Sequence, residues 1–464
     1  MAVYYVFFTK LIFCPWPFLQ AQTNLDNRET RMSKKFLFAA AMAAASCFSY
    51  ATTAPVQKAE VGSMVLFGDS LSDNGNTTKL LKSLRQIDDP AFLVSPLKKF
   101  VFRKMEDFAN DYYVPSAILM AGKKVAQEFF DIELAPFLAS VVGVIRTVPI
   151  VPENPYWKHH FSNGMVWNED LAKKVGLDLR DPNEYYNNAY GGSWAATYDH
   201  QLTTWNLIRH PILSIKNLIT GKLIPPSYGL EVTAYLLNFG KADPAKTYFI
   251  FAGSNDYLNM LNFEDNYNPA YMTKYVDYVL KDISYSTKRL INAGAKKVVI
   301  FGVPDVGITP RFNQTADAEF VSKACNWHNE RLQAKIAKWK KAYPEVKFTF
   351  VHTQQVFASL FKKAQSHGIT NTHDACIDAP LPGYAFTKAA PAHKAFGNNY
   401  VLEYAQYMMK PDGQGGFTAA AVDMCSEPSE YAFWDQVHPT KAVHLALAGE
   451  VCNIMKADGY DITC

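Results

Sequence analysis

The feature that most constrains this fold is the alternation of short apolar runs with stretches of helical periodicity. The apolar runs are rich in β-branched and aromatic residues and predict strands at residues 64–67, 247–252, 298–303 and 348–351. Apolar residues recur at helical spacing in residues 276–291, 327–339 and 443–455. Because strand–helix–strand units join parallel strands, we expect a three-layer α/β/α fold in which helices cover both faces of a mainly parallel sheet.

Two long stretches interrupt this alternation. Residues 79–155 contain an apolar run at 136–151, and residues 376–430 are rich in Ala, Gly, Tyr and Pro. Since the chain shows no internal repeat and no extended linker, we interpret both as insertions in a single domain that spans residues 52–464. We expect the first insertion to be helical, and it forms either a lipid-facing surface or lid, or additional core helices.

A segment with the pattern of a secretory signal lies near the N-terminus. Two lysines precede the apolar run at residues 36–48, which has the length of a signal-peptide core and is too short to span a membrane. The small residues that follow predict a signal peptide at residues 32–51, cleaved after Ala51 or, alternatively, after Ala54. We therefore expect a secreted protein, with the periplasm as the alternative location.

Residues 1–31 precede this signal and carry an apolar stretch of their own. We favour translation from Met32, with a separate helix at residues 1–31 as the alternative. Removing residues 1–51 takes away five basic and two acidic side chains, so a formal charge of +3 falls to zero. The chain also lacks a basic run. We expect neither a nucleic-acid partner nor strong electrostatic attraction to anionic lipid.

Five cysteines follow residue 51, and export would place them in an oxidising compartment. Their wide spacing does not fit a zinc site, so we expect two disulfides and one free thiol and no metal. The expected pairs are Cys376–Cys425 and Cys452–Cys464, although spacing alone does not fix the connectivity. The first pair would close the 376–430 insertion into a loop.

A small polar segment at residues 68–76 follows the first predicted strand directly. Its Ser70 stands where a parallel strand ends, which is the edge of such sheets that carries active residues. Small neighbours would let the hydroxyl and the backbone N–H of Ser70 face a substrate. The alternative is a polar turn in which Ser70 or Asp73 caps the following helix.

An aspartate and a histidine lie three residues apart just before the last predicted helix. His438 could take a proton from a serine near neutral pH, and Asp435 could hold the imidazole tautomer and stabilise the imidazolium. Pro439 favours a loop at this position. The alternative is an ordinary surface histidine beside a helix cap.

Two further segments could stabilise developing negative charge. Asn255 follows the strand predicted at residues 247–252 and could aim its side-chain N–H at an oxyanion. The pair Gly191-Gly192 would let a backbone N–H approach a substrate oxygen closely. Taken singly, each segment is better explained as a common turn.

Together these segments occur in the order Ser, Gly, Asn and Asp-x-x-His, and two of them follow predicted strands. In this order and content, nearly all of the chain after residue 65 resembles the GDSL, or SGNH, hydrolase superfamily. The resemblance implies Ser70 as nucleophile, His438 as base and Asp435 as the partner of the histidine. The G-x-S-x-G elbow of α/β-hydrolase lipases is absent.

The resemblance also implies an oxyanion hole. Its donors would be the Ser70 N–H, the Gly192 N–H and the side chain of Asn255. Either Gly191 or Gly192 can be aligned with the glycine of the family motif, and we choose Gly192.

Two more motifs narrow the resemblance. Residues 160–167, HFSNGMVW, and residues 303–307, VPDVG, are similar to segments of secreted bacterial phospholipases A, lysophospholipases and glycerophospholipid:cholesterol acyltransferases. The chain departs from this group in two ways. His160 replaces the arginine of the first motif, and the insertion at residues 79–155 is longer than the usual gap.

The function implied by the resemblance is that of a secreted serine esterase acting on glycerophospholipids and lysophospholipids. An acyl group would pass to Ser70 and then to water or to a second alcohol such as cholesterol. The expected partners are a phospholipid or lysophospholipid substrate, a sterol acceptor and a membrane surface contacted peripherally. This chemistry requires no cofactor.

Two other functions are compatible with the same scaffold. A short-chain or carbohydrate esterase is disfavoured by the aromatic, apolar insertion. A non-catalytic exported binding protein is disfavoured because all five site positions are present.

The 376–430 loop lies just before Asp435 in sequence. Its turn-rich composition and its lysines, Lys388, Lys394 and Lys410, predict a loop that covers the site and is cut by an activating protease.

Overall fold

A computed structural model describes most of the chain after residue 58. The described residues are 59–88, 91–111, 113–136, 154–196, 226–258, 269–378 and 423–464, the short pieces 409–411 and 417–419, and the single residues at 139, 146, 152 and 260. The extension and predicted signal peptide at residues 1–51 lie outside them. So do nearly all of the apolar run at residues 136–151 and much of the 376–430 loop, including Lys388 and Lys394.

The described strands are short and are numbered here in the order in which they occur along the chain. They are β1 Ala59–Glu60, β2 Met64–Gly68, β3 Tyr185–Asn187, β4 Thr247–Phe251, β5 Lys297–Phe301, β6 Lys347–Val351, β7 Asn371–Ala375, β8 Ile377–Asp378, β9 Met409–Pro411, β10 Phe417–Ala419, β11 Asp423–Met424, β12 Tyr431–Phe433 and β13 Tyr460–Asp461.

The helices vary from one turn to seven turns. They are α1 Asn76–Arg85, α2 Ala91–Asp111, α3 Ser116–Glu128, α4 Trp167–Lys174, α5 Tyr228–Phe239, α6 Ser254–Leu258, α7 Pro269–Asn292, α8 Ala318–Ala342, α9 Thr353–Lys362 and α10 Lys441–Ala457. Among the residues described, no helix is both long enough and apolar enough to pass through a bilayer.

Among the described strands, the largest sheet has five in the order β3-β2-β4-β5-β6, and every neighbouring pair in it is parallel. The four predicted strands are its β2, β4, β5 and β6, so the mainly parallel sheet is confirmed. The sequence does not predict the edge strand β3, because three residues are too few to show a strand pattern.

Side chains alternate between the two faces of this sheet and build two separate cores. Val65 and Phe67 of β2 face a core that includes residues of α5, α7 and α8. Met64 and Leu66 face the opposite core, which includes residues of α4, α9 and α10. Helices therefore cover both faces, and the predicted three-layer α/β/α arrangement is confirmed.

The described part of the 79–155 insertion is helical, as expected. α2 packs against α3, and a π-helical turn at Phe129–Leu134 continues α3. Several apolar side chains of this region face solvent: Ile118 is 62% exposed, Met120 70% and Ile132 71%. These residues do not build core, so the expectation of additional core helices does not describe this face of the insertion.

Both expected disulfides are present, Cys376–Cys425 and Cys452–Cys464, and Cys325 is buried as a free thiol. The first disulfide joins the residue before β8 to the residue after the antiparallel strand β11, and the Cys425 N–H donates to the Cys376 carbonyl over 2.7 Å. The root of the 376–430 loop is therefore closed by backbone hydrogen bonds as well as by a covalent bond.

A buried ion pair fixes the segment that leads into α4. His160 places Nε2 2.8 Å from Glu169 Oε2 and Nδ1 3.0 Å from the Lys158 carbonyl oxygen. Because both partners are acceptors, both ring nitrogens carry a proton and the imidazole is cationic. Burial opposes this charge, but the hydrogen bond and negative charge of Glu169 outweigh it and raise the pKa of His160 above its ordinary value.

We predict that Glu169→Gln lowers the free energy of unfolding most strongly in mild acid. A histidine whose pKa is raised by folding stabilises the protein below its unfolded pKa of about 6.5, and that stabilisation disappears as the pH rises through the folded value. Urea unfolding of wild type and variant across this range should show a gap that narrows at alkaline pH. A gap that stays constant or widens as the pH rises would contradict the cationic assignment of His160.

Candidate active site

The turn that carries Ser70 begins where β2 ends. Gly68 has a φ of 152°, and a Cβ at this position would lie 2.1 Å from the Phe251 carbonyl oxygen of the neighbouring strand. The glycine thus allows β2 and β4 to stay paired up to the turn. The Leu71 N–H donates to the Asp69 carboxylate over 3.1 Å, which closes the turn around Ser70.

Ser70, His438 and Asp435 lie in hydrogen-bonding sequence. His438 Nε2 is 2.8 Å from Ser70 Oγ, and His438 Nδ1 is 2.6 Å from Asp435 Oδ2. A carboxylate only accepts, so Nδ1 carries the proton and Nε2 is free to accept the serine proton. The three side chains are 5%, 2% and 1% exposed. The structure brings together three residues that the sequence separates by up to 368 positions.

The loop at residues 188–196, named the oxyanion loop for its predicted role, follows β3 and presents its glycines to the same edge of the sheet. The Gly191 N–H donates to the Asp73 carboxylate over 2.8 Å and is therefore occupied. Gly192 has a φ of 80°, and its N–H has no hydrogen-bond partner among the described residues. This geometry favours Gly192 over Gly191 as the donor to a substrate oxygen.

The amide of Asn255 closes the other side of the loop. It lies at the start of α6, directly after β4, and its Nδ2 donates to the Ser193 carbonyl oxygen over 2.9 Å. Asn255 and Ser70 also line the same pocket, so the side-chain amide lies on the side of the serine that is open to a substrate. The structure thus brings Ser70, His438, Asp435 and Asn255 together, and Gly192 lies in the loop that Asn255 contacts.

Three buried carboxylates hold the oxyanion loop, and sequence reasoning did not assign them this position. Besides Gly191, Asp73 accepts backbone N–H groups at the start of α1, so the helix-cap alternative for this residue also holds. Asp256 accepts the N–H groups of Ala195 and Ala196 over 2.8 and 3.0 Å. Asp73 belongs to the segment at residues 68–76 and Asp256 directly follows Asn255, which is the signal that could have found them.

The third carboxylate, Glu231 of α5, ties the serine turn to the oxyanion loop. It accepts the Gly68 N–H over 2.8 Å through one oxygen and the Ser193 hydroxyl over 2.7 Å through the other. Burial raises the pKa of Glu231 well above its ordinary value, and it raises the pKa of nearby Asp69 to about 6. No local pattern marks Glu231, because its partners lie 163 and 38 positions away in sequence.

Tyr156 is a further residue that the sequence did not reveal. Its hydroxyl donates to Asp435 Oδ2 over 2.7 Å, and its ring packs against Trp434 at 6.2 Å between centroids. It stands beside the HFSNGMVW motif, but nothing in the sequence connects it to an aspartate 279 positions later.

The HFSNGMVW motif joins the two turns that carry Ser70 and His438. The Ser162 hydroxyl donates to the Pro439 carbonyl over 2.9 Å, and the Phe161 ring lies 5.2 Å from the His438 ring. On the other side, Trp167 Nε1 donates to Ser72 Oγ over 3.1 Å. The motif therefore links the two turns through hydrogen bonds and ring packing. His160, which stands where the family motif has an arginine, keeps a positive charge at this position.

A small cleft with a cavity volume of about 40 Å³, open to solvent, adjoins these residues. Ser70, Asn255 and His438 form part of its wall, together with Pro304 and Asp305 of the VPDVG motif. The rest of the wall is largely apolar and includes Leu71, Leu258, Val306, Ile308, Phe357, Phe433 and Val437. A serine hydroxyl with a base, oxyanion donors and an apolar pocket can transfer the acyl group of an apolar ester.

No cluster of three or more His, Cys, Asp or Glu that could hold a metal ion occurs within the described ranges.

Comparisons with known proteins agree with this arrangement. Phosphatidylcholine-sterol acyltransferase of Aeromonas hydrophila is 27% identical over 299 residues, which cover 63% of this chain and 79% of that protein. Thermolabile hemolysin of Vibrio parahaemolyticus is 26% identical over 64% of this chain and 56% of its own length. Secreted effector protein SseJ of Salmonella typhimurium is 22% identical over 65% and 57%. The chain thus spans little more than half of the last two relatives.

A family model, that of the GDSL-like lipase/acylhydrolases, matches residues 64–451 and so includes the strand before Ser70, the oxyanion loop and the Asp435–His438 turn. A match of this extent decides the assignment: the chain belongs to the GDSL-like lipase/acylhydrolase family, within the GDSL/SGNH superfamily.

Proposed function

We propose that this protein is a secreted serine esterase that removes acyl groups from glycerophospholipids and lysophospholipids and can pass them to a sterol. The observation that carries the proposal is the 2.8 Å approach of His438 Nε2 to Ser70 Oγ at the mouth of an apolar pocket. A serine so placed is activated as a nucleophile, and the pocket suits an acyl chain.

In the proposed reaction, Ser70 Oγ attacks the ester carbonyl carbon while His438 takes the hydroxyl proton. Asp435 stabilises the imidazolium that forms. The oxyanion of the tetrahedral intermediate accepts hydrogen bonds from the backbone N–H groups of Ser70 and Gly192 and from the side-chain N–H of Asn255. The intermediate collapses to an acyl-enzyme when His438 returns the proton to the leaving alcohol. Water or a second alcohol then attacks the acyl-enzyme by the same steps in reverse.

The pocket wall supports a long acyl chain over an acetyl group. Its apolar side chains would bury methylene groups, each of which contributes about 0.8 kcal/mol when removed from water. A relative named for phosphatidylcholine and sterol supports the phospholipid donor and the sterol acceptor. A short-chain or carbohydrate esterase would have little use for this wall, and we rank it second.

Several features outside the pocket belong to the same proposal. We propose that the protein is exported, which agrees with its two disulfides, and that residues 52–464 form one domain. The exposed apolar side chains around α3 are suited to peripheral contact with a lipid surface. Cleavage of the 376–430 loop by an activating protease also stays a proposal.

The proposal predicts that a fluorophosphonate labels the wild-type protein and that Ser70→Ala abolishes labelling. The phosphorus of a fluorophosphonate is attacked only by an activated serine hydroxyl, so a serine in an ordinary turn does not react. Mass spectrometry of the labelled peptide should place the adduct on Ser70. Ser366→Ala, which changes a serine of the 364–367 turn, serves as the matched control and should label like wild type. Labelling that survives in Ser70→Ala would contradict the assignment.

Product analysis tests the substrate class. With phosphatidylcholine, the protein should release fatty acid and lysophospholipid, and added cholesterol should divert part of the acyl groups into cholesteryl ester. The apolar pocket also predicts a higher kcat/KM for long-chain than for acetyl esters. Mass spectrometry of the products decides between the two proposed functions. A preference for acetyl or sugar esters would favour the short-chain or carbohydrate esterase.

We predict that Asn255→Ala lowers kcat by about 100-fold to 1000-fold, since one oxyanion donor is lost. KM should change little, because the donor acts mainly on the charge of the transition state. Asn326→Ala, on the exposed face of α8, is the matched control and should keep wild-type kcat. Steady-state kinetics on a soluble ester provide the measurement, and an Asn255→Ala variant within tenfold of wild type would remove this residue from the oxyanion hole.

A further inference from the structure

Tyr156 touches the proposed catalytic group without being part of it. Its side chain is 4% exposed, and its hydroxyl lies 2.7 Å from Asp435 Oδ2. The same oxygen lies 2.6 Å from His438 Nδ1. The phenol and the imidazole therefore share one carboxylate oxygen.

The other oxygen of Asp435 is occupied by the backbone. Oδ1 accepts the N–H groups of Val437 and His438 over 2.8 and 2.7 Å. Four donors thus surround the carboxylate, and the two that reach Oδ2 are both side chains. The turn of residues 435–438 fixes Oδ1 by itself, whereas Oδ2 depends on the tyrosine for its second hydrogen bond.

Tyr156 is held in register with the turn that it contacts. Its ring packs edge-on against Trp434, the residue before Asp435. The next residue, Trp157, donates its N–H to the Ser162 carbonyl over 2.9 Å, and Ser162 in turn binds Pro439. The hydroxyl is therefore carried by a segment that is hydrogen-bonded to the aspartate–histidine turn itself.

We propose that Tyr156 is a positioning residue of the acyl-transfer reaction. Its hydroxyl fixes Asp435 Oδ2 and takes up part of the negative charge that this oxygen would otherwise present to His438. This inference rests on the proposed function, because it assigns a role within that reaction.

The role has consequences that differ from those of a merely structural tyrosine. Without the hydroxyl, Oδ2 is a stronger acceptor for the His438 Nδ1–H, but its direction is less restrained. Tyr156 is not among the residues that line the pocket, so its loss leaves the substrate contacts in place. The effect should therefore fall on kcat, by about tenfold, the cost of one hydrogen bond to a charged group. KM should stay unchanged.

The experiment compares Tyr156→Phe with Tyr235→Phe. Tyr235 is also buried, and its hydroxyl meets Tyr248 in the core on one face of the sheet, so the control removes a buried hydroxyl hydrogen bond away from Asp435. We expect a tenfold lower kcat at unchanged KM for Tyr156→Phe alone. A kcat within twofold of wild type, or a loss equal to that of the control, would overturn the proposal.

A spectroscopic reading tests the shared oxygen directly. The His438 Nδ1 proton should resonate far downfield, and in Tyr156→Phe it should move further downfield because its acceptor is stronger. Replacement of Tyr156 by 3-fluorotyrosine keeps the shape and strengthens the donor, so the resonance should move in the opposite direction. The fluorotyrosine protein also covers the case in which the phenylalanine variant fails to fold. An unmoved resonance would overturn the proposal.

A double-variant cycle separates action through Asp435 from a general loss of structure. If Tyr156 acts through the aspartate, Tyr156→Phe should cost less than threefold in an Asp435→Asn background, where the carboxylate that the hydroxyl positions is gone. Equal losses in both backgrounds would mean that the tyrosine acts elsewhere. A wild-type protein with no esterase activity would remove the proposed function, and the resonance shifts, which need no substrate, would still decide the role of Tyr156.

Discussion

Backbone N–H groups bound by buried carboxylates are the constraint on which this site depends. The loops at the carboxyl edge of the sheet lie outside helices and strands, yet their N–H groups are buried and need acceptors. Asp73 and Asp256 accept N–H groups of a loop far from them in sequence, and Glu231 accepts the Gly68 N–H and the Ser193 hydroxyl. Burying polar groups such as these is costly unless they are hydrogen-bonded. The geometry around Ser70 therefore follows from electrostatics as much as from packing.

The sequence predicts the parts of the structure that carry a local pattern. Buried parallel strands are continuous apolar runs, so β2, β4, β5 and β6 were found to within two residues at either end. Ser70 and Asn255 are proposed as site residues because each follows such a strand, and His438 because Asp435 stands three residues before it; the structure places Ser70, Asn255 and His438 in one pocket wall. The agreement with the family match shows that these motifs are specific in combination, although each is ambiguous alone.

The residues that escaped prediction act through long-range contacts. Tyr156 meets Asp435 across 279 positions and Glu231 meets Gly68 across 163. Neither residue has a neighbour in sequence that suggests its partner, because a hydrogen bond of this kind is formed by tertiary structure alone. The strand β3 escaped for a different reason, since an edge strand of three residues shows no periodicity. A single sequence thus predicts the candidate catalytic residues more readily than the residues that hold them in place through long-range hydrogen bonds.

The closed root of the 376–430 loop has an evolutionary consequence. The N–H groups of Cys376 and Ile377 donate to the carbonyls of Phe433 and Trp434. The root of the loop is therefore hydrogen-bonded to the end of β12 and to the residue before Asp435. The disulfide holds the return strand at the same place. Whatever length of chain lies between the two anchors, the positions of the anchors are set by these bonds. Substitutions, insertions and deletions between them can accumulate without disturbing the aspartate–histidine turn, which leaves this loop free to diversify.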